Sequence, residues 1–255
     1  MLIDSHAHLD DERFEEDRDD LIKSFKENNI DYVVNVAADY KSSIESINLS
    51  KEYENIYATV GVHPHDVKDL SEEMLLEIEQ MAVNNDKVVA IGEIGLDFHY
   101  DNSPRDVQRK WFKKQLQLAK EVNLPVIIHS RDAAGDTFDI LKDAQDGSLE
   151  GVLHCYSGSV EMAREYIKLG FYISLAGPVT FKNSRVLKEV AKDVPLDKLL
   201  IETDSPYLTP EPYRGKRNEP IYVRYVAGTI AEVRGLAFEE VAKATSENAK
   251  RLFRI

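Results

Sequence analysis

Cysteine is almost missing from the chain. Cys155 is the single one among 255 residues, so no intramolecular disulfide can staple the fold, and this usage fits a reducing compartment. Long hydrophobic runs are missing as well. No apolar stretch approaches the roughly 20 residues that span a bilayer, and the first residues lack the basic segment and long apolar core of a secretory signal. Glycine (12) and proline (9) are neither rich nor clustered, so no linker or low-complexity tract marks a domain boundary. Positive charge is in deficit. Against 46 Asp and Glu stand 32 Lys and Arg, a formal net charge of -14, which argues against a broad basic surface for wrapping nucleic acid. A nucleic-acid substrate stays compatible with that charge, because bound divalent cations invert the local field inside an acidic protein. These absences predict a cytoplasmic protein with one domain over residues 1–255, no membrane association and no obligate protein partner.

What is present is an ordinary globular balance, 43% hydrophobic and 31% charged, arranged in a regular alternation. Short apolar runs fall at Met1–Ile3, Tyr32–Val36, Ile56–Val62, Val88–Ile91, Pro125–Ile128, Gly151–Leu153, Phe171–Leu175 and Leu199–Ile201. Several are nearly continuous in Val and Ile, as expected of strands buried on both faces. Between them lie amphipathic segments, roughly Glu12–Asn28, Lys41–Lys51, Ser71–Asn84, Arg105–Val122, Ala133–Ala144, Ser159–Leu169 and Asn183–Lys192, with two more at Ile221–Arg234 and Phe238–Leu252. Trp111, Phe112, Leu116, Ala119 and Val122 form the clearest 3.6-residue stripe. Eight strands with helical crossovers make a parallel α/β sheet, and the count suggests closure into a (β/α)8 TIM barrel, a fold of about 250 residues. An open doubly wound sheet is the alternative. It usually carries a Gly-rich phosphate turn after its first strand, where this chain has His6-Ala7-His8.

The polar residues at the strand ends carry the chemistry. In an extended strand residues two apart share a side, so His6 and His8 project together. Val88-Val89-Ala90-Ile91-Gly92 leads into Glu93, Val126-Ile127-Ile128 into His129, Gly151-Val152-Leu153 into His154, and Leu199-Leu200-Ile201 through Glu202 and Thr203 into Asp204. In a barrel those carboxyl ends share one face, where active sites are built. Any one of these residues could be a cap or a satisfied core group; five strand ends in agreement are hard to produce by accident, because buried polar groups are costly without partners. Imidazoles and carboxylates without thiolate suit Zn, Mn or Mg. Six ligand groups exceed one tetrahedral site and suit two divalent ions about 3.5–4 Å apart.

Asp-Ser-His-Ala-His-Leu-Asp at 4–10, Gly-Val-His-Pro-His at 61–65, Gly-Glu-Ile-Gly-Leu-Asp-Phe at 92–98, Pro-Val-Ile-Ile-His-Ser-Arg-Asp at 125–132, His-Cys-Tyr-Ser-Gly at 154–158 and Glu-Thr-Asp-Ser-Pro-Tyr-Leu at 202–208 resemble the TatD family of metal-dependent hydrolases. The resemblance runs from residue 2 to about residue 250 with its motifs in order. It implies the amidohydrolase-like barrel of metallo-dependent hydrolases and deoxyribonuclease-type hydrolysis of DNA. Carried over by position, it implies that His6, His8, Glu93 and Asp204 hold one ion and that Glu93, His129 and His154 hold a second, with Glu93 bridging. Asp204 would also orient or deprotonate the attacking water. The same resemblance places His63 and His65 near substrate rather than on metal.

Asp97, His99 and Tyr100 could shape the pocket. Arg131 is a candidate phosphate clamp, since guanidinium matches phosphate geometry. Tyr207 and the loop Tyr213-Arg214-Gly215-Lys216-Arg217 add an aromatic and three cations suited to a phosphate backbone. Glu202 shares strand parity with Asp204, which predicts an inward carboxylate bonded to a ligating histidine; Cys155, of opposite parity to His154, is expected to pack. The acidic run Asp10–Asp20 reads as the solvated face of the first helix. The leading expectation is a two-metal phosphodiesterase on single-stranded or end-accessible DNA. The rival reactions are hydrolysis of another ester or amide, such as a D-aminoacyl-tRNA bond, and a non-enzymatic role as a metal-binding platform.

Overall fold

The computed structural model describes residues 1–255. Eight strands lie in one sheet in sequential order: β1 (Leu2–Ala7), β2 (Ile30–Asn35), β3 (Ile56–Val60), β4 (Val88–Asp97), β5 (Val126–Arg131), β6 (Gly151–Leu153), β7 (Tyr172–Leu175) and β8 (Leu199–Ile201). The chain just beyond β8 returns to β1 through a parallel bridge between Ala7 and Ser205. Sequential parallel order with β8 meeting β1 is the topology of a (β/α)8 barrel. No helix is long and apolar enough to cross a membrane.

Contacts divide the chain into two compact units. The first comprises residues 1–35, 154–168 and 172–255 and carries β1, β2, β7 and β8. Its helices are α1 (Arg18–Ser24), α6 (Val160–Lys168), α7 (Arg185–Asp193), α8 (Val223–Arg234) and α9 (Phe238–Phe253). α9 packs on β1 and β8, and Asn248 ties it down by donating to the carbonyls of Leu196 and Leu199, both at 2.8 Å. α8 stops at Gly235, which takes the left-handed conformation (φ 67°) that ends a helix at least cost.

The second unit, residues 36–153 and 169–171, carries β3 to β6. Its helices are α2 (Tyr40–Glu52), α3 (Glu72–Val83), α4 (Arg105–Glu121) and α5 (Ala134–Ala144). α2 starts at a capping box, with Asp39 accepting from the Ser42 backbone and Ser42 from the Asp39 backbone. α4 buries Trp111, Phe112, Leu116 and Ala119, each large side chain contributing about 1.5–3 kcal/mol. The same face also buries Gln108 and Gln115.

Two expectations change here. β4 runs to Asp97 with all ten residues buried, and β5 runs to Arg131, so Glu93 and His129 lie inside strands rather than at their ends. The apolar run breaks at Gly92-Glu93, yet pairing resumes through Ile94 with Ile128, Gly95 with His129 and Asp97 with Arg131. Gly95 makes this possible: a Cβ there would sit 2.0 Å from the His129 carbonyl oxygen. The first helix is also shorter than its pattern. A 3-10 turn at Glu12–Phe14 precedes α1, and the Asp17 carboxylate at the start of α1 receives Arg217 instead of capping the helix. The acidic run is therefore not simply a solvated helix face, since Asp11 grips Arg13 and Asp10 accepts from Asn35.

Candidate metal-binding clusters

In the first unit, β1 delivers His6 and the residue beyond its end delivers His8. Their Nε2 atoms lie 3.1 Å apart, and Asp204 Oδ1 stands 3.6 Å from the first and 3.4 Å from the second. His6 is fully buried and its ring stacks on His154, with centroids 4.0 Å apart. His154 Nδ1 lies 3.2 Å from Glu202 Oε1, which also accepts the Cys155 backbone N–H at 2.6 Å. Glu202 is buried and its Oε2 has no hydrogen-bond partner. His6, His154 and Glu202 can together offer a metal three ligand atoms. Burial alone would raise the Asp204 carboxyl, but the hydrogen bond to His8 and the charges of His6 and His154 hold it below its ordinary value.

Strand parity does not aim these side chains. β6 ends at Leu153 and β8 at Ile201; Cys155 (φ 42°) and Asp204 (φ 56°) both take the left-handed conformation. Asp tolerates that region better than most residues. The turn around Asp204 is held by its neighbours. The Asp204 N–H donates to the His6 carbonyl (2.9 Å), and Asn218 donates to the carbonyls of Thr203 (2.8 Å) and Tyr207 (2.5 Å). Beneath it, fully buried Asp4 accepts from the Thr203 backbone (2.9 Å) and meets the Thr203 hydroxyl (2.5 Å). Burial pushes the Asp4 carboxyl up to about 8.

In the second unit, β4 delivers Glu93 and Asp97, β5 delivers His129, and the segment after β3 delivers His63 and His65. Glu93 Oε1 lies 2.7 Å from His129 Nδ1 and 3.4 Å from His63 Nε2, and these three residues again offer a metal three ligand atoms. The structure thus brings His63 among ligand-type groups, whereas the resemblance puts it with substrate. Burial pushes the His63 imidazole down to about 4, so the ring is neutral at neutral pH. Its Nδ1 accepts the His65 backbone N–H at 3.2 Å, which puts the ring hydrogen on Nε2, toward Glu93, where a cation would have to replace it. His65 meets Asp97 Oδ2 at 3.0 Å.

Both clusters fit a divalent cation by a distance criterion. Ligands about 2.1 Å from one ion stand about 3.4 Å apart when tetrahedral and about 3.0 Å apart when octahedral. The separations of 3.1, 3.4 and 3.6 Å in the first cluster, and of 2.7 and 3.4 Å in the second, bracket those values. Atoms that all carry lone pairs repel at such distances unless a proton or cation lies among them.

The candidate substrate contacts are more dispersed. Arg131 is exposed and forms no ion pair; its guanidinium lies 4.8 Å from the centroid of the Tyr100 ring. Arg214 is likewise exposed, over Phe181 at 4.4 Å. Tyr207 is 47% exposed, carries the Arg13 guanidinium on its face at 4.2 Å and meets His8 edge-on. Arg217, expected to add a third cation, is instead neutralised by Asp17 and Glu219.

Sequence reading passed over Asp4, Gln108, Gln115 and Asn218 and left Asp97 as a general pocket residue. Gln115 pairs with both backbone groups of Val62 (2.8 and 3.0 Å), and Gln108 pairs with both of Asp97 (2.8 and 3.0 Å). Their spacing of seven places two polar residues on the apolar face of α4, the one available signal. Asp97 is fully buried. Burial pushes its carboxyl up, but hydrogen bonds from His129, the Tyr100 backbone and His65 prevail and hold it well below the usual carboxylate range.

Comparison with known proteins gives one consistent answer. A family model described as TatD related DNase matches residues 3–254. The chain is 51% identical to the uncharacterized metal-dependent hydrolase YabD of Bacillus subtilis over the full length of both. It is 40% identical to the uncharacterized metal-dependent hydrolase YcfH of Escherichia coli, over all of this chain and 96% of that one. Among solved structures it is similar to YjjV, a TatD homologue from Escherichia coli, with a TM-score of 0.94 and 30% identity over all of this chain and 98% of that one.

Proposed function

The chain belongs to the TatD family of metal-dependent hydrolases, and from that premise we propose that its reaction is hydrolysis of DNA phosphodiester bonds, on single-stranded or end-accessible DNA. The observation that carries this reading is the pair of histidine–carboxylate clusters with ligand atoms at cation spacing. By the family pattern His6, His8, Glu93 and Asp204 would hold one divalent ion, Mg, Mn or Zn, and Glu93, His129 and His154 the other. When bound, such ions lower the pKa of water and neutralise charge on a phosphoryl group.

The chain's own residues do the rest. Asp204, anionic and aimed by its left-handed backbone, orients the attacking water and takes its proton at Oδ2, the oxygen left when Oδ1 faces His6 and His8. Arg131 and Arg214, exposed and without carboxylate partners, bind phosphate oxygens. Tyr207 offers a half-exposed ring on which a base can stack. Glu202 steadies His154 by accepting at Oε1.

The test is product analysis on DNA labelled at the 5′ or 3′ end, with Mg or Mn, with and without chelator, beside a D-aminoacyl-tRNA assay. The proposal expects chelator-sensitive nucleotide release from one labelled end. Deacylation without DNA cleavage would move the reaction to an ester, and retention of metal with neither activity would leave a binding platform.

A further inference from the structure

The Asp97 carboxylate meets four polar partners beside the second cluster, and their arrangement constrains the histidines. Its Oδ1 accepts the backbone N–H groups of His99 (3.0 Å) and Tyr100 (2.9 Å). Its Oδ2 lies 3.0 Å from His65 Nε2 and 3.0 Å from His129 Nε2. The main chain of Asp97 is itself fixed, its N–H donating to Gln108 Oε1 and its carbonyl accepting from Gln108 Nε2. A carboxylate so placed can only accept, so each imidazole must turn an Nε2–H toward it. A neutral imidazole carries one N–H, which leaves Nδ1 of both rings with its lone pair. For His129 that lone pair faces Glu93 Oε1 at 2.7 Å, the side on which His63 Nε2 also converges.

We propose that Asp97 is a positioning residue that fixes the Nε2–H tautomer of both His65 and His129. His129 thereby meets a divalent cation through Nδ1, and His65 presents Nδ1 as a hydrogen-bond acceptor to water or substrate. One carboxylate oxygen sets the polarity of two rings, and Gln108 sets the carboxylate. This rests on the metal reading of the second cluster and is independent of which bond the enzyme cleaves.

The decisive measurement uses the cadmium-113 form of the full chain with nitrogen-15 in its histidine rings. Long-range proton–nitrogen spectra and nitrogen–cadmium coupling report, ring by ring, which nitrogen holds metal and which holds hydrogen. The expected result is cadmium on His129 Nδ1 with hydrogen on Nε2, and a His65 ring protonated at Nε2 only. Cadmium on His129 Nε2, or hydrogen on His65 Nδ1, overturns the proposal. Asp97→Asn adds a functional arm. The amide oxygen can keep both backbone bonds, while the NH2 replaces Oδ2 with a donor that cannot accept Nε2–H. Affinity for one of two ions should fall by about 10–100-fold in chelator competition, with His129 losing its Nδ1–cadmium coupling. Asp132→Asn, which alters an exposed partner of His99, should leave both readouts unchanged. Unaltered metal affinity in a folded Asp97→Asn protein overturns the proposal, and if that variant does not fold, the wild-type spectrum still decides. Correct tautomers with no DNA cleavage would sink the nuclease reading alone.

Discussion

The two clusters solve the same problem by different means. In the second unit Glu93, Asp97 and His129 sit on the long strands β4 and β5, whose pairing is interrupted only around Glu93. Helix α4 reaches over with Gln108 and Gln115 to pin the backbone at Asp97 and beside His63. In the first unit His154, Glu202 and Asp204 follow strands only three residues long, and left-handed turns aim them, the one at Cys155 held by Glu202 and the one at Asp204 by Asp4 and Asn218. Regular pairing fixes direction cheaply because every residue is already hydrogen-bonded. A turn must be over-determined by side chains to hold a residue in a sparsely populated conformation. Removing a support of the first cluster should therefore cost function before stability, and removing a support of the second the reverse.

The largest expected effect is on turnover. Glu93→Ala should lower DNA hydrolysis by a factor of about 1,000 or more, since ion-based stabilisation amounts to several kcal/mol and each 1.36 kcal/mol is tenfold. Circular dichroism should remain that of the folded protein; undiminished cleavage would remove the proposed mechanism.

Next in size are two opposed pH dependences in the metal-free protein. Asp4 has a folded pKa of about 8, above its ordinary 3.8, so its contribution is present below 3.8 and is lost as pH rises through 8. That span amounts to up to about 6 kcal/mol. His63 is depressed from 6.5 to about 4, so its contribution is present above 6.5 and is lost as pH falls through 4, up to about 3 kcal/mol. Denaturant melts across pH 4–8 should show Asp4→Asn flattening the alkaline loss and His63→Gln flattening the acid one. If both variants flatten the same limb, the contrast between the units fails.

Gln115→Ala and Asn218→Ala compare the two supports directly. The first leaves the Val62 N–H and carbonyl unpaired inside the second unit, at about 3 kcal/mol, or a Tm lower by about 6–12 °C. Asn218→Ala frees the segment carrying Asp204 and should cost less in Tm but more in turnover. Equal losses in both assays for both variants would show that regular strands and strapped turns are interchangeable.

The smallest effect concerns Asp11, held at about 2 by its hydrogen bonds to Arg13. Its stabilisation is present above 3.8 and lost as pH falls through 2. Because Arg13 is partly exposed, Arg13→Ala should remove less than about 1 kcal/mol, with a visible change only in melts below pH 4.

The sequence by itself determined the strand count, the order of the elements and the family. Continuous Val- and Ile-rich runs and 3.6-residue stripes are local signals that the barrel preserves, and the histidine and carboxylate motifs are contiguous in the chain. Tertiary structure decided where the side chains go. Glu93 lies inside β4 because Gly95 lets that strand close on His129. Asp204 and Cys155 point where they do because of backbone turns that no alternation encodes. Arg217 lost its place among the phosphate-binding candidates to Asp17, some 200 residues away, and Asp97 gained importance from partners on β5 and after β3. Periodicity records which face a residue occupies, whereas the partner of a buried charge is set by whichever segments the fold brings to it.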